Sequence, residues 1–296
     1  MKSVAARGLT RSFGSFTAVD DVNLDLDAGE VVGLLGANGA GKTTLIRLLL
    51  GVLRPTSGSV RLFGAPPSRA ERQRVGYVPQ NLGLYGDLTI AENLEFRAGL
   101  FGVSPSPYRQ DEPGLVGHLS LGIQRQAAFE AATQHRPALL ILDEPTSGVS
   151  PLARSRLWNM LREHSDAGAA VLVSTHYMDE AEQADRLVVM ANGRIAGQGA
   201  VADIVAGLQV VEVRAPDWRA ALAAVERDQR VVLLDGRAIR ILGDEISAVR
   251  ADLRRVSIEA EVRLVPASLN EALVELSRPG MDFHRVELTA LEPPTP

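Results

Sequence analysis

One eight-residue run near the N-terminus, Gly36-Ala37-Asn38-Gly39-Ala40-Gly41-Lys42-Thr43, constrains this chain more than any other part of it. It fits G-x-x-x-x-G-K-[ST], a loop whose backbone N–H groups converge on phosphate oxygens. The flanks are what such a loop needs. Val31 to Leu35 is a short continuous apolar run, as expected of a strand buried on both faces of a parallel sheet, and Thr44 to Leu53 is rich in apolar residues suited to a buried helix. Gly36, Gly39 and Gly41 permit backbone angles that a side chain forbids, so successive N–H groups can face one anion at the helix N-terminus. Lys42 adds an argument from composition, because of 31 lysines and arginines only Lys2 and Lys42 are lysine. A chain that otherwise uses arginine thus sets a compact ammonium where a planar guanidinium is too wide for a phosphate nest.

At 296 residues the chain is long for one core and short for three, so two domains are expected. It has no cysteine, which excludes disulfides and thiolate metal sites. Its five histidines show no H-x₃-H or similar spacing, which argues against structural zinc. A net charge of −5 with no basic block argues against a nucleic-acid surface. No stretch approaches the roughly 18 apolar residues of a membrane span. Met1 to Thr10 lacks the apolar core of a signal peptide, so the cytosol is the expected setting.

A second element narrows the chemistry. Ala138-Leu139-Leu140-Ile141-Leu142-Asp143-Glu144-Pro145 is an apolar strand that ends in two carboxylates, and Pro145 stops the pairing. Asp143 is suited to hold Mg²⁺ through water beside Thr43. Glu144 projects differently because strand side chains alternate, which leaves it free to polarise an attacking water. An adjacent acidic pair after a buried strand, with a phosphate loop upstream, favours hydrolysis.

Between these elements lies Leu119-Ser120-Leu121-Gly122-Ile123-Gln124, which resembles the L-S-G-G-Q signature of ATP-binding cassette (ABC) ATPases. Tyr77-Val78-Pro79-Gln80 resembles their Q-loop, Ser174-Thr175-His176 their switch histidine, and Phe13 the aromatic position that stacks on adenine. The resemblance runs in the family's order from about residue 4 to residue 205. It implies an α/β P-loop NTPase cassette, a mixed-sheet core with a shortened helical subdomain, that takes ATP and Mg²⁺. By the family's pattern Gly36, Ala37, Asn38, Gly39, Ala40, Gly41, Lys42, Thr43 and Thr44 bind nucleotide with Phe13, while Ser120 and Gly122 meet the γ-phosphate held by a partner cassette. Thr43, Gln80 and Asp143 hold Mg²⁺; Glu144, His176 and Gln80 carry catalysis. A homodimer or paired cassette is therefore implied. So are a transmembrane permease subunit as partner and the cytoplasmic face of the membrane as location. Thr175 to Glu182 and Glu144 to Val149 resemble cassettes of the drug-resistance exporter branch.

Several positions depart from the pattern. Leu121 replaces a signature glycine, Ile123 replaces its glutamine, and Ser150 stands where the family's D-loop carries aspartate. Pro105, Pro107 and Pro113 crowd the segment between Leu100 and Leu119, so the helical subdomain, about residues 81–135, is expected to be trimmed. The cassette is expected over 1–205. Residues 206–278 read as β-α-β-β-α-β, a small α+β ferredoxin-like accessory domain, with a disordered tail over 279–296. In that domain Pro216 to Arg227 reads as a helix, Asp235-Gly236 as a hairpin turn and Val256 to Val265 as a strand.

Three functions follow. The first is the ATP-hydrolysing subunit of a membrane exporter working through a separate permease. The second, a soluble cassette ATPase acting on ribosomes or DNA, lacks the second cassette or coiled-coil insertion usual there. The third is a hydrolytically weak regulatory cassette of a heterodimer. Ser150 and the short helical region favour it; intact Lys42, Asp143, Glu144 and His176 oppose it.

Overall fold

The computed structural model describes residues 2–107, 114–226 and 230–278. The chain divides into two compact units, Met1–Gln198 and Gly199–Pro296.

The first unit is built on a six-stranded sheet. Its spatial order is Val75–Val78, Leu139–Asp143, Ala170–Thr175, Val31–Leu35, Arg186–Ala191 and Arg194–Gly199. The first five run parallel to one another. Val31–Leu35, Leu139–Asp143 and Ala170–Thr175 are buried at every position. Both faces are covered, which is why these strands read as continuous apolar runs rather than alternating ones. On one face Val32, Leu34, Leu139 and Ile141 share a core with Leu45, Ile46 and Leu49 of the helix Lys42–Leu49. On the other, Leu140, Leu142, Val171 and Val173 pack on Phe129, Leu157, Trp158 and Leu161. Each such side chain contributes about 1.5–3 kcal/mol on burial.

The helix after the phosphate loop ends sooner than its apolar run suggests. Leu50 closes it and Gly51, at φ 65°, turns the chain away, so Val52 and Leu53 lie outside the helix. An antiparallel sheet in the order Phe16–Asp27, Lys2–Phe13, Ser57–Leu62 adds Val4, Leu9, Val22 and Leu24 to the first core. The helical part consists of Ile90–Phe101, entered through a Thr89–Glu92 capping box, a single 3₁₀ turn at Val116–His118, and Leu121–Thr133. Residues 102–107, which include Pro105 and Pro107, form no helix or strand. Pro113 lies outside the described residues.

The second unit opens with the helix Val201–Val205, which packs on Leu269–Leu276. The division falls at 198/199, where the sequence suggested 205/206. Four antiparallel strands follow in the spatial order Val231–Asp235, Ala238–Leu242, Gln209–Arg214, Glu261–Pro266. Trp218–Val225 and Ile246–Arg255 supply Ala221, Val225, Val249 and Leu253 to the core against Val211, Val213, Ile239 and Ile241. The helix expected over 216–227 is thus described as Trp218–Val225, with Asp217 accepting from the Ala220 N–H; Arg227 lies outside the described residues. The strand expected from Val256 starts only at Glu261, because Ser257 takes φ 55° and a turn ends the preceding helix. The expected disordered tail, 279–296, also lies outside the described residues.

Candidate functional site

Parallel strands bring their carboxyl ends to one edge. The loops leaving that edge carry Gly36 to Lys42, Gln80, Asp143 with Glu144, and Ser174 to His176. This is the crevice where open parallel sheets bind ligands. Two glycines are required by close approach. A Cβ on Gly36 meets the Met190 carbonyl oxygen at 2.4 Å, and one on Gly41, at φ 103°, meets that of Ala18 at 2.4 Å. Lys42, only 5% exposed, donates from Nζ to the carbonyls of Gly36 at 2.7 Å and Ala37 at 3.2 Å. The same ammonium lies 3.6 Å from Glu144 Oε1.

Three polar groups from three loops meet at the Glu144 carboxylate. Besides Lys42, Gln80 Nε2 donates to Oε2 at 3.4 Å and His176 Nδ1 stands 3.6 Å from Oε2, beyond hydrogen-bond distance. Glu144 holds φ 49°, a conformation uncommon for a residue with a side chain. Its backbone is held on both sides. Its N–H donates to Ser174 Oγ at 2.9 Å, and its carbonyl accepts from an Arg125 guanidinium nitrogen at 2.9 Å. Ser174 Oγ in turn donates to Asp143 Oδ1 at 2.7 Å. The other oxygen, Asp143 Oδ2, is buried and has no hydrogen-bond partner among the described residues. A buried carboxylate oxygen without a donor fits a cation ligand. Burial, and after it the Asp143 charge, raises the Tyr77 hydroxyl pKa, so Tyr77 stands beside the acid as a neutral group.

The remaining sequence candidates lie elsewhere in the same unit. Ser120 is the N-cap of Leu121–Thr133, yet its hydroxyl makes no capping bond. A Cβ on Gly122 meets nothing within 4 Å, so contacts within this chain do not demand glycine there. Leu121, 40% exposed, reaches the D-loop, where a Cβ on Gly148 lies 3.0 Å from its Cδ2. Ser150 caps the helix Pro151–Asp166 by accepting from the Ala153 N–H at 3.3 Å. A cavity of about 490 Å³ forms a groove between these two helices, lined by Ser120, Gly122, Arg125, Ser150 and Arg156, and does not include the phosphate loop. The titratable groups converge instead at Glu144, which makes that carboxylate the candidate centre. Phe13 ends the strand Lys2–Phe13 half-exposed, with the Arg11 guanidinium 4.4 Å from its ring centre.

Three contributions were not evident from sequence. Ser174 is one, visible only through the register that sets it opposite Asp143. Arg125 is the second. The third is Glu180, fully buried, which accepts from Thr175 Oγ1 at 2.7 Å and lies 2.9 Å from Arg154 Nε. Arg154 also covers the Tyr177 ring at 4.5 Å, next to His176. Of the other histidines, His135 and His164 are half-buried, with pKa lowered by desolvation, and His135 stacks on Phe101.

Comparison with known proteins agrees with this geometry. The ABC transporter family model matches residues 19–147. Nod factor export ATP-binding protein I of Paraburkholderia xenovorans is 36% identical over 293 residues, covering 90% of this chain and 94% of its own. The protein named "Probable multidrug ABC transporter ATP-binding protein YbhF" of Escherichia coli is 38% identical over 217 residues. That match spans 68% of this chain and only 38% of the relative's length. Among solved structures, an ATP-binding subunit of an ABC transporter superposes with a TM-score of 0.62 at 30% identity, over 68% of this chain and 91% of its own. A dimeric ATP-binding cassette bound to ADP and phosphate shares the fold, with a TM-score of 0.61 at 22% identity over 67% of this chain and 98% of its own. The chain belongs to the ABC transporter family and carries its ATP-binding cassette.

Proposed function

We propose that this chain is the ATP-hydrolysing subunit of a membrane exporter, and that it works as a pair of cassettes closed head to tail around ATP. One observation carries the hydrolytic reading: a single carboxylate, Glu144, is approached by Lys42, Gln80 and His176 from three separate loops. In this reading Glu144 accepts the proton of the attacking water, His176 holds that water and the γ-phosphate in line, and Lys42 exchanges its loop carbonyls for phosphate oxygens. Thr43, Gln80 and Asp143 would hold Mg²⁺, with the unpaired Asp143 Oδ2 as the acidic ligand. When bound, the cation neutralises charge on the phosphates. Ser120 and Gly122 act on the nucleotide of the opposing cassette.

The names of the relatives support export, and the described residues include no helix long and apolar enough to cross a membrane. A transmembrane permease is therefore the partner, and the cytoplasmic face of the membrane the working location. The helical part offers it a surface, since Tyr85, Phe96 and Leu100 are exposed apolar side chains and the Tyr85 and Phe96 rings meet edge to face at 5.3 Å. A permease of this exporter class, co-expressed with the chain, is expected to co-purify with it in membranes and to be lost on Phe96→Asp with Leu100→Asp.

The test of the chemistry is Glu144→Gln. It should slow turnover by roughly 10²–10⁴-fold, the share of a lost general base, while ATP still binds. With ATP and Mg²⁺ the variant should elute as a dimer on gel filtration. Hydrolysis at the parental rate removes Glu144 from the mechanism.

A further inference from the structure

Arg125 belongs to the helix that begins at the signature, Leu121–Thr133, yet its guanidinium reaches the loop after the Asp143 strand. There it donates to the Glu144 carbonyl at 2.9 Å, while Ser174 accepts the Glu144 N–H at 2.9 Å. Between these two anchors the Glu144 Cα sits at φ 49°. A residue keeps such a conformation only where its surroundings over-determine it, and the two anchors supply that. The direction of the carboxylate follows from this Cα, so a guanidinium on the signature helix governs where the candidate base points.

Two further observations bear on Arg125. It is half-buried, and desolvation lowers its pKa against the support of the Glu144 and Glu180 carboxylates. Its hydrogen bond goes to the loop after Asp143. Its Nε is buried and has no hydrogen-bond partner among the described residues. A buried donor without an acceptor costs free energy.

We propose that Arg125 is a positioning residue that couples the signature helix to the hydrolytic carboxylate of its own chain. The inference rests on the reading of Glu144 as the base. Ser120 and Gly122, at the start of the same helix, face the partner cassette's nucleotide in that reading. A displacement they undergo on closure is carried through the Arg125 bond to the Glu144 carbonyl. Each cassette's hydrolysis thereby responds to occupancy of the other site.

Arg125→Ala tests this on the full chain, with turnover measured across ATP concentration and affinity measured with a fluorescent ATP analogue. A misplacement of about 1 Å costs about 10²-fold in rate, so kcat should fall about 10–100-fold. KM and analogue affinity should stay within about two-fold, and the Hill coefficient for ATP should drop towards one. Arg125→Lys keeps a cation and a donor and should recover at least a third of the parental kcat. Should the alanine variant not fold, Arg125→Gln takes its place under the same criteria. A kcat within two-fold of parental, a loss of analogue affinity as large as the loss of rate, an unchanged Hill coefficient, or a lysine variant as slow as alanine each overturns the proposal. Glu144→Gln run alongside separates the two claims. If it hydrolyses normally the base reading fails, whereas if it is inactive and Arg125→Ala is normal only the coupling fails.

Discussion

Ser174 is fully buried, and its one hydroxyl serves both carboxylate residues, donating to Asp143 Oδ1 at 2.7 Å and accepting the Glu144 N–H at 2.9 Å. Ser174→Ala leaves both groups unpaired in a core, and Asp143 Oδ2 already lacks a partner among the described residues. A hydrogen bond to a charged group contributes about 1.5–3 kcal/mol and an unpaired buried N–H costs about 1–3, so a loss of about 3 kcal/mol is expected. Trp158 is buried in this unit and Trp218 belongs to the other. A Trp218→Phe background therefore makes tryptophan fluorescence report the cassette alone. With a urea slope of about 3 kcal/mol/M, the midpoint should fall by about 1 M. Asp143→Asn supplies the control, because in its presence the cost of Ser174→Ala should shrink to about 1 kcal/mol. A midpoint shift below about 0.3 M, or an equal cost with and without the Asp143 charge, refutes the assignment of this hydroxyl to the acid.

Three other outcomes are expected. Lys42→Arg keeps the charge but cannot enter the nest that Lys42 fills at 2.7 Å from Gly36 O, so ATP binding by calorimetry should weaken about 10-fold or more, and equal affinity would mean that charge alone suffices. In the second unit the Arg214 bond, helped by Arg263 and opposed by burial, holds the Glu212 pKa below the ordinary glutamate range. Its stabilising effect is complete above the unfolded value of about 4.3 and is lost as pH falls through the lower folded value, so circular dichroism should show the unit resisting acid down to about pH 4 and Glu212→Gln flattening that dependence. Ser150→Asp should raise ATPase activity of the purified chain and steepen its dependence on protein concentration; no change in either would mark Ser150 as an adapted residue.

The glycine-rich loop was legible as a candidate because its pattern is local. Glycines, lysine and hydroxyl sit within eight consecutive residues, and the apolar runs beside them report burial on both sheet faces. Glu144 and Asp143 were legible as a pair for the same reason. What holds them in place was not, since Ser174 and Arg125 act across 31 and 19 residues of sequence through a strand register and a helix approach. A serine beside a threonine at a strand end carries no mark of its partner. Arg125 is one of many arginines, and only its aim at a carbonyl separates it from the rest. In the second unit the element order could be read from alternation, but the start of the strand at Glu261 was hidden. Val256 belongs to the turn that ends the helix, and Ile258, beyond that turn and outside any strand, still packs on the core.

The departure at Ser150 has a narrower meaning than the sequence alone allowed. Serine and aspartate cap helices about equally well, and Ser150 does cap Pro151–Asp166 through the Ala153 N–H. The helix therefore loses nothing by the replacement, and a D-loop weakened through its own fold is excluded as an explanation. What serine cannot bring is charge. Ser150 lines the same groove as Ser120 and Gly122, the two residues that face the partner's nucleotide in the proposed dimer, together with Arg125 and Arg156. A carboxylate at position 150 adds a negative group to a groove that already holds two guanidinium groups. It can attract either one, and attraction of Arg125 acts on the Glu144 carbonyl that this arginine holds at 2.9 Å. The rate effect of Ser150→Asp should then depend on Arg125. Measured in the Arg125→Ala background, the aspartate should lose most of its effect, whereas an undiminished effect would place its action wholly at the partner's loop.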